Sequence, residues 1–143
     1  MTDATRVRMG WALSGAVVIA LVADGLMGLF APQLLAGSLR ETGFAPSAVT
    51  PISLAALVPA VLYAVPRTAV LGAILMTGFL GGAICTHLRI GDIGSPPQLI
   101  CLALGVVAWS GLLLRDARVR ALLPLRGGAQ AAALSMPSSP SLR

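Results

Sequence analysis

Six side chains are reactive or polar enough, and set deep enough in apolar sequence, to do chemistry: Asp24, Cys85, Thr86, His87, Arg89 and Cys101. Asp24 interrupts the apolar run 9–30, MGWALSGAVVIALVADGLMGLF. A carboxylate in hydrocarbon costs several kcal/mol and turns to a partner or a cavity. Counted from one common end of a helical bundle, Asp24 lies about 22 Å along its helix and His87 about 27 Å along another. That shared depth predicts one polar site of Asp24, Thr86 and His87, with Arg89 close above and favouring the ionised carboxylate. Such a site would move a proton or hold a polar ligand. The structural alternative is a hydrogen bond or ion pair that only ties helices together.

Cys85 and Cys101 fall near the same ends of two consecutive helices, joined by a short loop. A thiol pair there would form a disulfide in an oxidising compartment, or a redox couple. The alternative is two small apolar side chains at packing surfaces, because spacing alone does not fix the Cα separation that a bond needs. With one histidine in the chain, a haem held by two imidazoles is excluded. No metal-ligand cluster, phosphate-binding glycine loop with lysine, or Gly-x-Ser-x-Gly elbow occurs. No cofactor is evident from these residues.

The elements that must position these side chains are membrane helices. The chain has 143 residues, 57% hydrophobic and 10% charged, with a mean hydropathy of +0.90. A soluble domain carries about 25% charged residues. Four apolar runs, at about 9–30, 48–65, 69–88 and 97–114, approach the roughly 20 residues that cross a bilayer. The first resembles a signal peptide at its start, but its length, Asp24 and the lack of an A-x-A site predict that it stays attached. The fold expected is all-α, an integral membrane bundle of four transmembrane helices spanning residues 1–126. The stretch 127–143, GGAQAAALSMPSSPSLR, is low in complexity and is expected to be disordered.

Helix 69–89, AVLGAILMTGFLGGAICTHLR, reads as the centre of the bundle. Ala69, Ala73, Thr77, Gly81 and Cys85 recur at i+4, with Gly78, Gly82 and Thr86 in a second row. Small rows let helices approach closely in lipid, so Gly78, Gly81 and Gly82 are expected to be packing glycines. Pro59 should kink the second span and free the carbonyl of Ala55. The stretch 32–46 is read as either an interfacial helix or a plain loop. Ser47 is a plausible N-cap. Ser95-Pro96-Pro97-Gln98 reads as an N-cap, two prolines and a capping-box glutamine.

Every basic residue is arginine, and the formal charge is +5. Arg6, Arg8, Arg67, Arg115, Arg118, Arg120 and Arg126 fall on one side of a four-span arrangement, and only Arg40 and Arg89 on the other. The positive-inside rule then puts both termini in the cytoplasm of a bacterial inner membrane. Trp11, Tyr63 and Trp109 fall near the same boundary, as belt residues do. No basic patch is interleaved with aromatics, which argues against a nucleic-acid partner.

Val65-Pro66-Arg67-Thr68-Ala69-Val70-Leu71-Gly72, then Thr77-Gly78-Phe79-Leu80-Gly81-Gly82-Ala83 and Thr86-His87-Leu88-Arg89, resemble the DoxX-like family of small four-helix bacterial membrane proteins. The similarity runs in order from about Trp11, through Asp24-Gly25, to Arg126. The resemblance implies the four-helix fold. The family takes its name from a subunit linked to quinone-dependent sulfur oxidation, so quinone is the one cofactor the resemblance suggests. Some relatives carry acidic residues in the second span, where this chain has Ser53 and no carboxylate.

Three functions are consistent with these residues. The expected one is a non-catalytic accessory or partner-binding component of a membrane redox or envelope system. Its partners would be the bilayer, a membrane or peripheral oxidoreductase, and a second copy of the chain. The alternatives are a quinone- or thiol-linked oxidoreductase subunit and a small proton-coupled transporter.

Overall fold

The computed structural model describes residues 2–122; Arg126 and the stretch 127–143 lie outside them. The helices are α1 Asp3–Phe30, α2 Pro32–Glu41, α3 Val49–Ala64, α4 Ala69–Arg89, α5 Pro96–Arg115 and α6 Ala117–Leu122, with a 3-10 turn at Pro46–Ala48 leading into α3. α1, α3 with its leading turn, α4 and α5 are long and apolar enough to cross a membrane. α1 packs against α3 and α5, and α4 packs against the same two. The four spans therefore close a ring in which neighbours run antiparallel. Val17, Leu21, Ala60, Tyr63, Met76 and Leu112 fill its interior. Ile19 is 71% exposed and Val106 60% exposed, an apolar exterior suited to lipid rather than water.

α1 begins at Asp3 rather than at Met9. An acidic residue in the first turn suits the positive end of the helix dipole, and Asp3 also approaches Arg6 at 3.8 Å. The stretch after Pro32 is a helix, with proline at its first position. α2 ends in a glycine cap: Gly43 has φ +78°, its N–H donates to Arg40 O, and the Phe44 N–H donates to Leu39 O. The same arrangement ends α4 at Gly91 (φ +78°), where the Asp92 N–H donates to His87 O. Only glycine takes that backbone shape without strain.

The expected caps form differently. Ser47 sits inside the 3-10 turn, and the residue before α3 is Ala48. Ser95 makes no side-chain cap, and its buried Oγ has no partner. Gln98 Oε1 accepts instead from the Gly94 N–H at 2.6 Å, while Pro96 and Pro97 have no N–H to offer the Ser95 hydroxyl. Ser95→Ala should therefore change thermal stability by less than about 0.5 kcal/mol, where loss of a working cap costs about 1. A clear loss of stability would show a capping contact after all.

The glycine reading is corrected. A Cβ added at Gly78, Gly81 or Gly82 would meet nothing within 4 Å. The buried face of α4 is Ala69, Gly72, Ala73, Met76 and Leu80, so α4 is one wall of the ring and not its centre. Close approaches occur elsewhere. A Cβ on Gly10 would lie 2.7 Å from Arg115 N and 2.9 Å from Gly111 O, where α1 crosses α5. One on Gly72 would strike the backbone of Tyr63, where α4 crosses α3. α4 is apolar all round, so sequence does not mark which of its small rows faces inward.

Tyr63 is also corrected. It is 0% exposed and is a core residue rather than a belt residue. Its hydroxyl donates to Ala108 O at 2.6 Å and accepts from Ser14 Oγ at 2.9 Å. Beside it, the Arg115 guanidinium lies 4.6 Å from the Trp11 ring and 4.7 Å from the Tyr63 ring. Arg115 also donates to Tyr63 O at 2.9 Å. Tyr63→Phe should cost about 1–2 kcal/mol in detergent unfolding, since it leaves Ser14 to find another partner. Unchanged stability would show that this hydroxyl is not needed to join the three helices.

Candidate functional site

At the end of the bundle opposite the Trp11–Tyr63–Arg115 cluster, α1, α2, α3 and α4 surround a cavity of about 550 Å³. Ligand cavities run from about 300 to 1,000 Å³. Three of the four residues in the expected polar site line it: Asp24 from α1, and Thr86 and His87 from the last turns of α4. The walls are otherwise mainly apolar, with Leu39 and Phe44 from the α2 cap, Ile52 from α3 and Phe79 from α4. Leu39 and Phe44 are the pair that a glycine-capped helix end brings together, so the α2 cap builds one wall.

Gly82 lines the cavity as well. Its missing side chain contributes space rather than helix contact. The α3 wall includes Ala55. α3 continues through Pro59, and since proline has no N–H the Ala55 carbonyl has no helical donor. Ala55 is thus a lining residue whose carbonyl lacks its helical donor.

Asp24, Thr86 and His87 share the cavity without bonding to one another. Thr86 Oγ1 donates to Gly82 O at 2.9 Å. His87 Nδ1 lies 3.1 Å from Ala83 O; a carbonyl only accepts, so Nδ1 carries the hydrogen and Nε2 is the free ring nitrogen. Asp24 makes no hydrogen bond or ion pair within 4.0 Å among the described residues. The direct Asp24–His87 pair is thus replaced by two groups facing a common space.

Arg89 departs from the expected site. Its guanidinium donates to Thr42 O at 2.6 Å, satisfying a carbonyl at the end of α2. Three residues beyond Thr86, it has moved past the cavity and serves the helix that closes it. Sequence reasoning missed Ser38 and Ser53, which also line the cavity.

The thiol pair is not formed. Cys85 and Cys101 are both free, the first exposed and the second half-buried. Cys101 lines a shallow groove between α4 and α5 with Gly81 and Trp109, and Cys85 is not among its lining residues. Trp109 crosses that groove, its Nε1–H donating to Thr77 Oγ1 at 2.9 Å. Among the described residues no group of three or more His, Cys, Asp or Glu is placed to hold a metal ion.

The sequence profile of the DoxX-like family matches residues 12–111, which takes in α2, α3 and α4 and most of α1 and α5. No curated protein and no solved structure matches the chain. The matched stretch contains Asp24, Thr86 and His87. With four apolar helices closed into a ring, the chain belongs to the DoxX-like family and is a small multi-pass integral membrane protein.

Proposed function

We propose that this protein is a non-catalytic, ligand-holding accessory component of a bacterial inner membrane, serving a redox or envelope system through a partner protein. Both termini face the cytoplasm, and the α2 end of the bundle faces outward. The single observation that carries the reading is the 550 Å³ cavity, apolar in its walls and polar at Asp24, Thr86 and His87. That combination suits an amphipathic, lipid-soluble small molecule.

Gly82 supplies the test. A Cβ there meets no protein atom within 4 Å, and Gly82 lines the cavity, so a leucine at this position is expected to fill part of it. Wild-type protein in lipid nanodiscs should retain an extractable amphipathic molecule, identified by mass spectrometry. Gly82→Leu should fold normally and lose it. Equal retention by both proteins, or none by the wild type, would sink the reading.

The orientation rests on seven arginines against two. A reporter active only outside the cytoplasm should work when fused after Gly94 and fail when fused after Gly127. The reverse pattern would overturn the topology.

A further inference from the structure

The polar lining of the cavity is one-sided. Every threonine or serine hydroxyl on it but one is already spent as a donor. Thr42 donates to Ser38 O at 2.8 Å, Ser53 to Val49 O at 2.8 Å, and Thr86 to Gly82 O at 2.9 Å. His87 spends its Nδ1 hydrogen on Ala83 O. Only the Ser38 hydroxyl is uncommitted among the described residues lining the cavity. The free groups by contrast are mainly oxygens: the two of Asp24, which no described residue engages, and the carbonyl of the lining residue Ala55, which Pro59 leaves without its helical donor; Nε2 of His87 is also uncommitted.

The backbone leans the same way. α2 and α4 both bring C-terminal turns to the cavity, through Leu39 and Thr42 on one and Thr86 and His87 on the other. Helix C-termini favour donors and cations. α3 brings an N-terminus, but its donors are largely used: the Ala48 N–H goes to Ala45 O and the Val49 N–H to Pro46 O, and Pro51 has none.

From this balance we infer that the cavity selects a ligand whose head group donates hydrogen bonds, of the alcohol, phenol or amine class, on an apolar body. The inference rests on the ligand-holding reading above and adds the chemistry of the ligand to it. Anions meet the oxygens of Asp24 and no arginine among the described lining residues. Ketone-type heads, an oxidised quinone included, bring only acceptors to a wall of acceptors. An oxidised quinone therefore does not match the polarity of the lining.

Three probes of twelve carbons each separate these chemistries: 4-hexylphenol, 2-dodecanone and dodecanoate, each titrated by equilibrium binding to the full chain in nanodiscs of neutral lipid. The phenol should bind about tenfold more tightly than the ketone or the carboxylate, the difference that one or two well-placed hydrogen bonds supply. Asp24→Asn keeps the shape and adds donors, so the preference should fall to within about threefold. Gly82→Leu should weaken all three probes. Equal binding of the three to wild type, with Gly82→Leu still blocking them, would overturn the donor selection and leave the cavity reading standing. Binding unaffected by Gly82→Leu, or no saturable binding of any probe, would overturn both.

Discussion

Gly72→Leu is expected to destabilise the bundle by about 3 kcal/mol or more, towards the upper end of what overpacking costs. A Cβ at this position meets N and Cα of Tyr63 and the carbonyl carbon of Leu62, all of them backbone. Flexible side chains can swing away from an intruding methyl, but a helix backbone moves only with the helix. Here α3 and α4 are joined by a short turn at Pro66, with Thr68 Oγ1 donating to Leu62 O at 2.8 Å. The hinge leaves little slack for the two helices to separate. Gly10→Leu should behave similarly, because its Cβ meets the backbone of Arg115 and Gly111. Gly78→Leu and Gly81→Leu are the controls, expected within about 1 kcal/mol of wild type since nothing lies within 4 Å. The measurement is thermal or denaturant unfolding in detergent. Wild-type stability in Gly72→Leu, or a larger loss in Gly81→Leu, would return the packing role to the row of small residues that faces outward.

What sequence conveys about this molecule divides by geometry. The spans were legible because length and hydropathy alone decide whether a segment crosses a bilayer. Depth was legible because every helical residue advances 1.5 Å, and Asp24, Thr86 and His87 do reach one cavity. Rotation was not legible. A helix that is apolar on all sides carries no mark of its inward face, so the close contact expected of Gly78, Gly81 and Gly82 is made by Gly72 instead. Arg89 was placed with Asp24 by depth alone, yet it donates to the end of α2. Tyr63 was read from its position near a boundary, although its hydroxyl is enclosed by Ser14 and Ala108. Sequence leaves α2 open between helix and loop because its ten residues make fewer than three turns, and isolated helices that short are marginal. Proline at its start and Gly43 at its end were the marks that could have decided it.

These differences change what the site does. A direct Asp24–His87–Arg89 network would have been self-satisfied, leaving little for a ligand. Instead, Arg89 is committed to Thr42 O and His87 Nδ1 to Ala83 O, while Asp24 keeps its oxygens free. The bundle is tied at the opposite end by the cluster around Tyr63. Rigid packing there and free space at the α2 end let one small fold combine stability with a cavity. Closing the space would offer Asp24 only the Ser38 hydroxyl as an uncommitted side-chain hydroxyl among the described lining residues.

The second large effect is expected at that tied end. Arg115→Met should cost about 2–4 kcal/mol, because Arg115 does three things at once. Its flat guanidinium lies 4.6 Å from the Trp11 ring and 4.7 Å from the Tyr63 ring, and each such contact contributes about 0.5–2 kcal/mol. It also donates to Tyr63 O at 2.9 Å, one of the final carbonyls of α3 that have no helical donor. One side chain on α5 thereby holds α1 and α3. Arg115→Lys keeps the charge but loses the flat face and the fork of donors, so it should recover less than half of the loss. Arg120 is a useful comparison: it donates to Leu113 O and Leu114 O at the end of its own preceding helix and bridges no other span. Arg120→Met should cost about 1–1.5 kcal/mol, the loss of hydrogen bonds without the stacking. Unfolding of the purified variants in detergent checks the order. Full rescue by lysine would mean that charge alone matters, and equal losses at Arg115 and Arg120 would remove the case for a three-helix clasp.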